Sequence, residues 1–491
     1  MTKIIPSAEQ QACIDFAVKQ SVNLIISALA GAAKSTTLEM IANALPPKTN
    51  GMLLAFNKRI VTEMSGKLPD NIDCLTLNSL GYRAWRDKLG KRLTVNARKN
   101  YLILEQFIKS LQDQKERDIA WESMSTILNA VSFAKTGGHV PDVIAAEMKC
   151  ERLMDNDKFK DSFEEILTPL EYTAALHVLT ISMRQSFLGE VDFDDQLLMP
   201  TVFRAPFPAY SLVMVDEAQD LSALNHQMLA KVTRRRLIAV GDQCQAIYAF
   251  RGAHESGMSQ MKKKFNMTEL PLSCSYRCPE EIVKHVQWRA PHMTWWEGNK
   301  HKGVINKPKS WSVLDMPDNA AVICRNNGPL FKLAVHMLKA GRRPNLWGSD
   351  IGAALLKIMK KLGPQNMSAK QALGELSVWR EANLKKTRSP GAVNDRYECI
   401  KVFLSERETL GAAITYAEEL LRTEGPVNLL TAHKSKGHEF SDVYILDDQL
   451  FKDQGQDPNA RYVAVTRTLE NLTYVYGENC TEYLEDEEQN G

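Results

Sequence analysis

Two short segments hold residue types whose spacing suits phosphoryl transfer. The first is Ala28-Leu-Ala-Gly-Ala-Ala-Lys34-Ser35-Thr36-Thr37, which closely follows the pattern of a small residue, four others, glycine, lysine and a hydroxyl residue. Such a loop presents backbone N–H groups, here those of Ala30, Gly31, Ala32, Ala33, Lys34, Ser35 and Thr36, to phosphate oxygens at a helix N-terminus. The lysine then reaches the β- and γ-phosphates, and the Ser35 hydroxyl ligates Mg2+. One position departs from the pattern: Ala33 stands where glycine is expected, and its Cβ disfavours a positive φ. Taken alone, the loop also reads as a small-residue turn before a helix. The second segment is Leu-Val-Met-Val-Asp216-Glu217-Ala-Gln-Asp220, an apolar run ending in two adjacent acids. Asp216 suits a metal's hydration shell, and Glu217, pointing the other way, suits orienting and deprotonating a water. An acidic cap on the following helix is the plainer alternative.

These residues need a frame that brings them together. Short apolar, β-branched runs recur at residues 23–27, 52–56, 73–77, 212–216, 237–240, 321–324, 428–432, 443–447 and 472–476, separated by longer helical patterns. Continuous buried strands alternating with helices predict an α/β fold with parallel sheets. Lys34 and the acids then sit at strand carboxyl ends, where open sheets bind ligands. The strands fall into two groups, and each is interrupted by a helical stretch.

Length and charge bound the remaining possibilities. The chain has 491 residues, 44% hydrophobic and 24% charged, with a formal net charge of +2. This composition excludes a disordered, collagen-like or disulfide-scaffold protein. Nucleic-acid binding would have to rest on local groups rather than global charge. No apolar run reaches the roughly 18 residues that span a bilayer. The nine scattered cysteines and the absence of a leader pattern at Met1 predict a cytoplasmic protein with no membrane association. Two basic clusters, Arg234–Arg236 and Lys262–Lys264, read either as phosphate contacts or as solvated faces.

The segment from Val240 to Gly252, Val-Gly-Asp-Gln-Cys-Gln-Ala-Ile-Tyr-Ala-Phe-Arg-Gly, resembles motif III of the UvrD/Rep/PcrA-like superfamily 1 DNA helicases. Further motifs follow in order. Gln10 resembles the Q motif, Phe56-Asn57-Lys58 motif Ia, and Thr76–Leu80 motif Ib with Asn78 in place of histidine. Ser273–Arg277 resembles motif IV, with Ser275 replacing asparagine. Thr431–Phe440 resembles motif V, and Tyr462–Arg467 motif VI. The resemblance implies ATP and Mg2+ as cofactors, with ATP between two RecA-like P-loop domains. It gives Glu217, Gln245, Arg277, Arg467 and Lys34 catalytic roles, the arginines neutralising the γ-phosphoryl charge. It assigns Gln10 to the adenine edge, Tyr276 to the adenine face, and Gly437 and Glu439 to the nucleotide. Ser7 and Gln10 also read as a helix capping box. Lys58, Asn78, Tyr248, Phe250, Arg251, His433 and Lys434 would line the strand channel, the aromatics stacking on unpaired bases. A core role is the alternative for Tyr248.

The implied layout is a RecA-like domain from residues 1–80 and 188–255, with a helical insertion at 81–187. A second RecA-like domain comprises 256–330 and 426–480, with a short helical insertion at 331–425. Residues 481–491 form an acidic tail. The implied activity is ATP-dependent translocation on single-stranded DNA, 3′→5′, coupled to duplex unwinding, with the pathway left open among replication, repair, recombination, phage biology and defence. The partners are single-stranded DNA and single/double-strand junctions, for a monomer or weak oligomer. Two alternatives stay open: a translocase that strips proteins without unwinding, and a hydrolysis-impaired nucleotide-binding regulator suggested by Ala33.

Overall fold

The computed structural model describes residues 5–55, 57–247 and 257–481. Phe56, Tyr248, Phe250, Arg251 and the acidic tail beyond Thr481 lie outside the described residues. Two compact units result, one ending at Leu272 and one beginning at Ser273, with Leu29–Ala32 grouping with the second. No helix among the described residues is long and apolar enough to cross a membrane.

The strands of the first unit are β1 (Leu24–Ala28), β2 (Gly51–Ala55), β3 (Ile72–Thr76), β4 (Thr94–Val95), β5 (Glu190–Val191), β6 (Tyr210–Val215), β7 (Thr233–Gly241) and β8 (Thr268–Leu272). β4 and β5 form a small ladder of their own. The other six form one parallel sheet in the order β3-β2-β6-β7-β1-β8. β1, β2 and β6 are almost wholly buried, as strands covered on both faces must be. A core of Ile25, Leu54, Val213, Val215, Leu237 and Ala239 joins them. Because all strands run the same way, the residues after β6, β7 and β1 emerge at one edge on adjacent strands.

Between residues 81 and 187 helices joined by short loops predominate, and β4 is the one named strand there. The longest helix, Pro169–Leu188, starts on a Thr168–Glu171 capping box with proline at its first position and ends at Gly189 (φ 101°). Its apolar side joins a core with Ile103, Leu104, Ile127 and Val131.

The second unit holds β9 (Cys274–Ser275), β10 (Thr294–Trp295), β11 (Val304–Asn306), β12 (Ala321–Cys324), β13 (Pro344–Leu346), β14 (Val427–Thr431), β15 (Phe440–Leu446) and β16 (Thr468–Val475). β9 pairs with β10, and the rest form a parallel sheet ordered β11-β16-β15-β12-β14-β13. The α/β class with parallel sheets is therefore as expected.

Two expected boundaries move. The first unit runs to Leu272 rather than residue 255, because β8 pairs with β1. Its charge and proline, Glu269 and Pro271, hide it from apolar patterning and suit an edge strand. The second insertion starts after β13, not at residue 331, since helix Asn327–Lys339 and β13 belong to the sheet layer. Its helices, from Ser349 to Leu421, share one continuous core with that sheet, including Leu355, Phe403, Leu420 and Leu429.

Candidate nucleotide and strand-contact residues

In the first unit, β1 runs into the small-residue loop and then helix Lys34–Ala44. Ala33 caps this helix in the left-handed conformation (φ 57°, ψ 47°) and gives it no side-chain cap. Gly31 also has a positive φ of 74°. The glycine pattern is thus met at Gly31, while Ala33 holds a backbone state that costs an L-residue roughly 1–2 kcal/mol. The uncapped N–H groups are what an anion-binding helix start presents.

Lys34 Nζ faces Glu217 Oε1 at 3.6 Å. The Ser35 hydroxyl donates to Asp216 Oδ2 at 2.7 Å, and the Glu217 N–H donates to Asp216 Oδ1 at 2.8 Å. Burial, then the neighbouring Glu217 carboxylate, pushes Asp216 up to about 6, against the pull of Ser35 and Lys34. Glu217 adopts φ 52°, a left-handed state at the turn between β6 and the short 3-10 helix Ala218–Asp220.

The site extends onto β7 through a residue that motif spacing passed over. Gln219 is fully buried, and its amide donates to Glu217 Oε2 at 2.5 Å while its carbonyl accepts from the Asp242 N–H at 3.0 Å. Gly241 has no side chain because there is no room for one: a Cβ would sit 2.5 Å from Gln219 Oε1. Asp242 in turn accepts from the Gln245 amide at 2.7 Å and the Cys244 N–H at 2.9 Å. Burial raises the Asp242 pKa as well. A continuous chain therefore runs Lys34, Glu217, Gln219, Asp242, Gln245.

Gln10 is buried at the start of helix Ala8–Lys19. It closes the capping box with Ser7, and its amide donates to Thr37 Oγ1 at 3.1 Å. Thr37 donates onward to the Ala33 carbonyl at 3.0 Å. Gln10 is thus tied to the phosphate-type loop as well as to its own helix start.

Lys58 and Asn78 follow β2 and β3 at the same sheet edge. Lys58 is exposed at the start of helix Lys58–Ser65, whose cap is Asn57. Asn78 donates to the Phe193 carbonyl at 2.7 Å. Phe193, another residue not singled out by motif, is 59% exposed beside it. The basic clusters resolve differently. Arg236 donates to the carbonyls of Ala17 and Gln20, each at 2.5 Å, and so caps helix Ala8–Lys19. Lys262 pairs with Glu269 and Lys264 donates to Gln227.

In the second unit, Arg277 forms an ion pair with Glu439. Arg277 Nε is buried and has no hydrogen-bond partner among the described residues. Arg467 is buried at the end of helix Asp457–Val465, donating to the Val463 carbonyl at 2.9 Å, to the His438 carbonyl at 3.4 Å and to Thr466 Oγ1 at 3.1 Å. Burial, then the Arg277 charge, pulls Arg467 down to about 10. An anion beside these two guanidinium groups would relieve both. Tyr276 lies 5.9 Å from Trp296, ring to ring. His433 and Lys434 sit on the short helix Ala432–Ser435 directly after β14, and Gly437 follows with φ 88°.

Residues 7–266 match the profile of the UvrD/REP helicase N-terminal domain. The chain is 24% identical to F-box DNA helicase protein 1 of Schizosaccharomyces pombe over 95% of its own length and 57% of that protein. It is 25% identical to a probable DNA helicase II homolog of Rickettsia felis, over 53% of this chain and 41% of the relative. With ATP-dependent DNA helicase PcrA of Leuconostoc citreum it shares 26% identity, over 51% of this chain and 34% of that one. The chain thus spans less than two thirds of the length of these relatives.

Proposed function

The chain belongs to the UvrD/Rep helicase family, and from that premise we propose that it is an ATP-hydrolysing motor that translocates 3′→5′ on single-stranded DNA and unwinds duplex. One observation carries the reading: Lys34, Ser35, Asp216, Glu217 and Gln245 leave three adjacent parallel strands at one edge and meet there.

The donor set fits Mg2+. Ser35 and a single carboxylate, Asp216, already face each other, and among the described residues no group of three or more His, Cys, Asp or Glu side chains forms a fuller cage. Mg2+ suits such a sparse site because it keeps several waters and takes its other ligands from phosphates. Asp216 is kept hard to ionise by burial and by Glu217, and a cation at this point would relieve that. When bound, Mg2+ would neutralise phosphate charge.

Lys34 would bind the β- and γ-phosphates. Glu217, with one oxygen held by Gln219 and the other toward Lys34, would orient the attacking water and take its proton. Arg277 and Arg467 would neutralise the γ-phosphoryl oxygens, and Tyr276, Gln10, Gly437 and Glu439 would hold the nucleoside. Lys58, Asn78, His433, Lys434, Tyr248, Phe250 and Arg251 would contact the strand. Phe193 joins them, as an exposed aromatic residue whose backbone carbonyl Asn78 holds. The ATPase reading is favoured over a dead nucleotide-binding regulator because Ala33, despite its left-handed strain, leaves Lys34 and Ser35 facing Glu217 and Asp216.

Strand displacement on duplexes with a 3′ or a 5′ single-stranded tail tests the polarity and the unwinding. The expected result is ATP-dependent displacement from the 3′-tailed duplex. Single-strand-stimulated ATPase without displacement from either substrate would favour the stripping translocase.

A further inference from the structure

Where the helical insertion meets the rest of the first unit lies a cluster of buried charge that the nucleotide chemistry does not use. Lys99, Lys135 and Asp195 have fully buried side chains, and that of Asp192 is 8% exposed. Lys99 Nζ is 2.7 Å from Asp195 Oδ2, and 2.7 Å from each of the Ser182 and Glu190 carbonyls. Lys135 Nζ is 2.5 Å from Asp192 Oδ2, 2.7 Å from Asp195 Oδ1 and 2.7 Å from Ser182 Oγ. Two cations thus meet two carboxylates. Burial opposes the ionisation of Asp195, yet Lys135 and Lys99 hold its pKa below the usual carboxylate range.

The two acids belong to one turn, Asp192-Phe193-Asp194-Asp195. It is closed on itself: Asp192 N–H donates to Asp195 Oδ2 at 3.0 Å, and Asp195 N–H donates to Asp192 Oδ1 at 2.8 Å. Between them Asp194 accepts from Ser132 Oγ at 2.7 Å. Every acid of the turn is therefore tied down by the insertion helices, and Phe193 alone points outward, with its carbonyl on Asn78. Helix Asp195–Val202, which the turn begins, lies close against helix Leu77–Leu89: a Cβ on Gly81 would be 1.9 Å from the Gln196 carbonyl oxygen. An apolar set of similar volume would give comparable stability, because desolvating two ion pairs offsets much of their attraction. What the charges add is a fixed geometry.

We propose that the Lys99–Lys135–Asp192–Asp195 cluster is a positioning device for strand binding, locking the turn that presents Phe193 beside Asn78 to an unpaired base. The inference rests on the strand-binding reading above. The lysines act through Phe193 and touch no nucleotide themselves.

The test is the affinity of the full chain for a fluorescein-labelled oligothymidylate, with ATP KM measured in parallel. The set is Phe193→Ala, Lys135→Met, the milder Ser132→Ala, and each of the last two combined with Phe193→Ala. Circular dichroism checks folding, and Ser132→Ala carries the test if Lys135→Met does not fold. A lost base–aromatic stack predicts that Phe193→Ala weakens binding about 5- to 150-fold. Lys135→Met is expected to weaken it by about tenfold and Ser132→Ala by about threefold, with ATP KM unchanged and no further loss in the Phe193→Ala background. A folded clamp variant with unchanged affinity, or a loss that persists in full without Phe193, overturns the positioning role alone. Unchanged affinity in Phe193→Ala overturns the strand role of this face, and the clamp with it.

Discussion

At the scale of single residues, the site is a set of groups held in states they would avoid in isolation. Ala33 is the plainest case, since its φ of 57° belongs to glycine. Replacing it tests whether the strain is local. Glycine removes a left-handed penalty of about 1–2 kcal/mol and adds about 0.5–1 kcal/mol of unfolded-state entropy. Ala33→Gly is thus expected to raise stability by on the order of 0.5–1 kcal/mol in denaturant titration without weakening nucleotide binding. A loss of stability would contradict the geometry. Asp216 is a second case, with its pKa raised from the ordinary 3.8 to about 6. Between those values the folded chain binds more protons than the unfolded chain, so this group's contribution to stability falls as pH rises through the window. Asp216→Asn removes the cost. It is expected to stabilise the protein by on the order of 1–2 kcal/mol at pH 7.5 and by much less at pH 4.5, while abolishing the stabilisation that Mg2+ and nucleotide give the wild type. Equal effects at both pH values, read from unfolding curves, would contradict it.

At the scale of elements, parallel topology explains why so much was legible beforehand. Buried strands read as unbroken apolar runs, and the acids and lysine that end them stand out against that background. Leu212–Val215 followed by Asp216 and Glu217, and Leu24–Ala28 followed by the small-residue loop, carry their own punctuation. Edge strands lack it: β8 contains Glu269 and Pro271, and β13 is three residues long and starts with Pro344. Gln219, Phe193 and the lysine cluster were illegible for another reason. Their meaning lies in partners far along the chain, as Lys99 and Asp195 show, and one sequence does not announce such pairings. Arg236 shows how an exposed charge run can mislead. Its place in β7 lets it cap the C-terminal end of helix Ala8–Lys19, which carries Gln10. Arg236→Ala is expected to cost about 1–2 kcal/mol of stability and to leave the affinity for single-stranded DNA, and its salt dependence, unchanged. A reduced salt slope would restore the phosphate-contact reading.

At the scale of the whole molecule, a net charge of +2 is compatible with a DNA motor because the groups proposed to touch the strand are few and local. Lys58 and Asn78 stand at strand ends of the first sheet, and His433 and Lys434 just past β14 of the second. Acids elsewhere balance them in the total. Each unit contributes half of the proposed chemistry: Lys34, Ser35, Asp216 and Glu217 from the first, and Arg277 and Arg467 from the second. Under the proposed reading hydrolysis responds to the strand, and this response is the central claim. It is read most directly by the steady-state rate of ATP hydrolysis with and without single-stranded DNA, for the wild type and Glu217→Gln. DNA should raise the wild-type rate by about tenfold or more, and the variant should fall about 100-fold or more below the stimulated wild type, as loss of a general base implies. A wild-type rate that stays at the variant's level even with saturating single-stranded DNA would contradict the account.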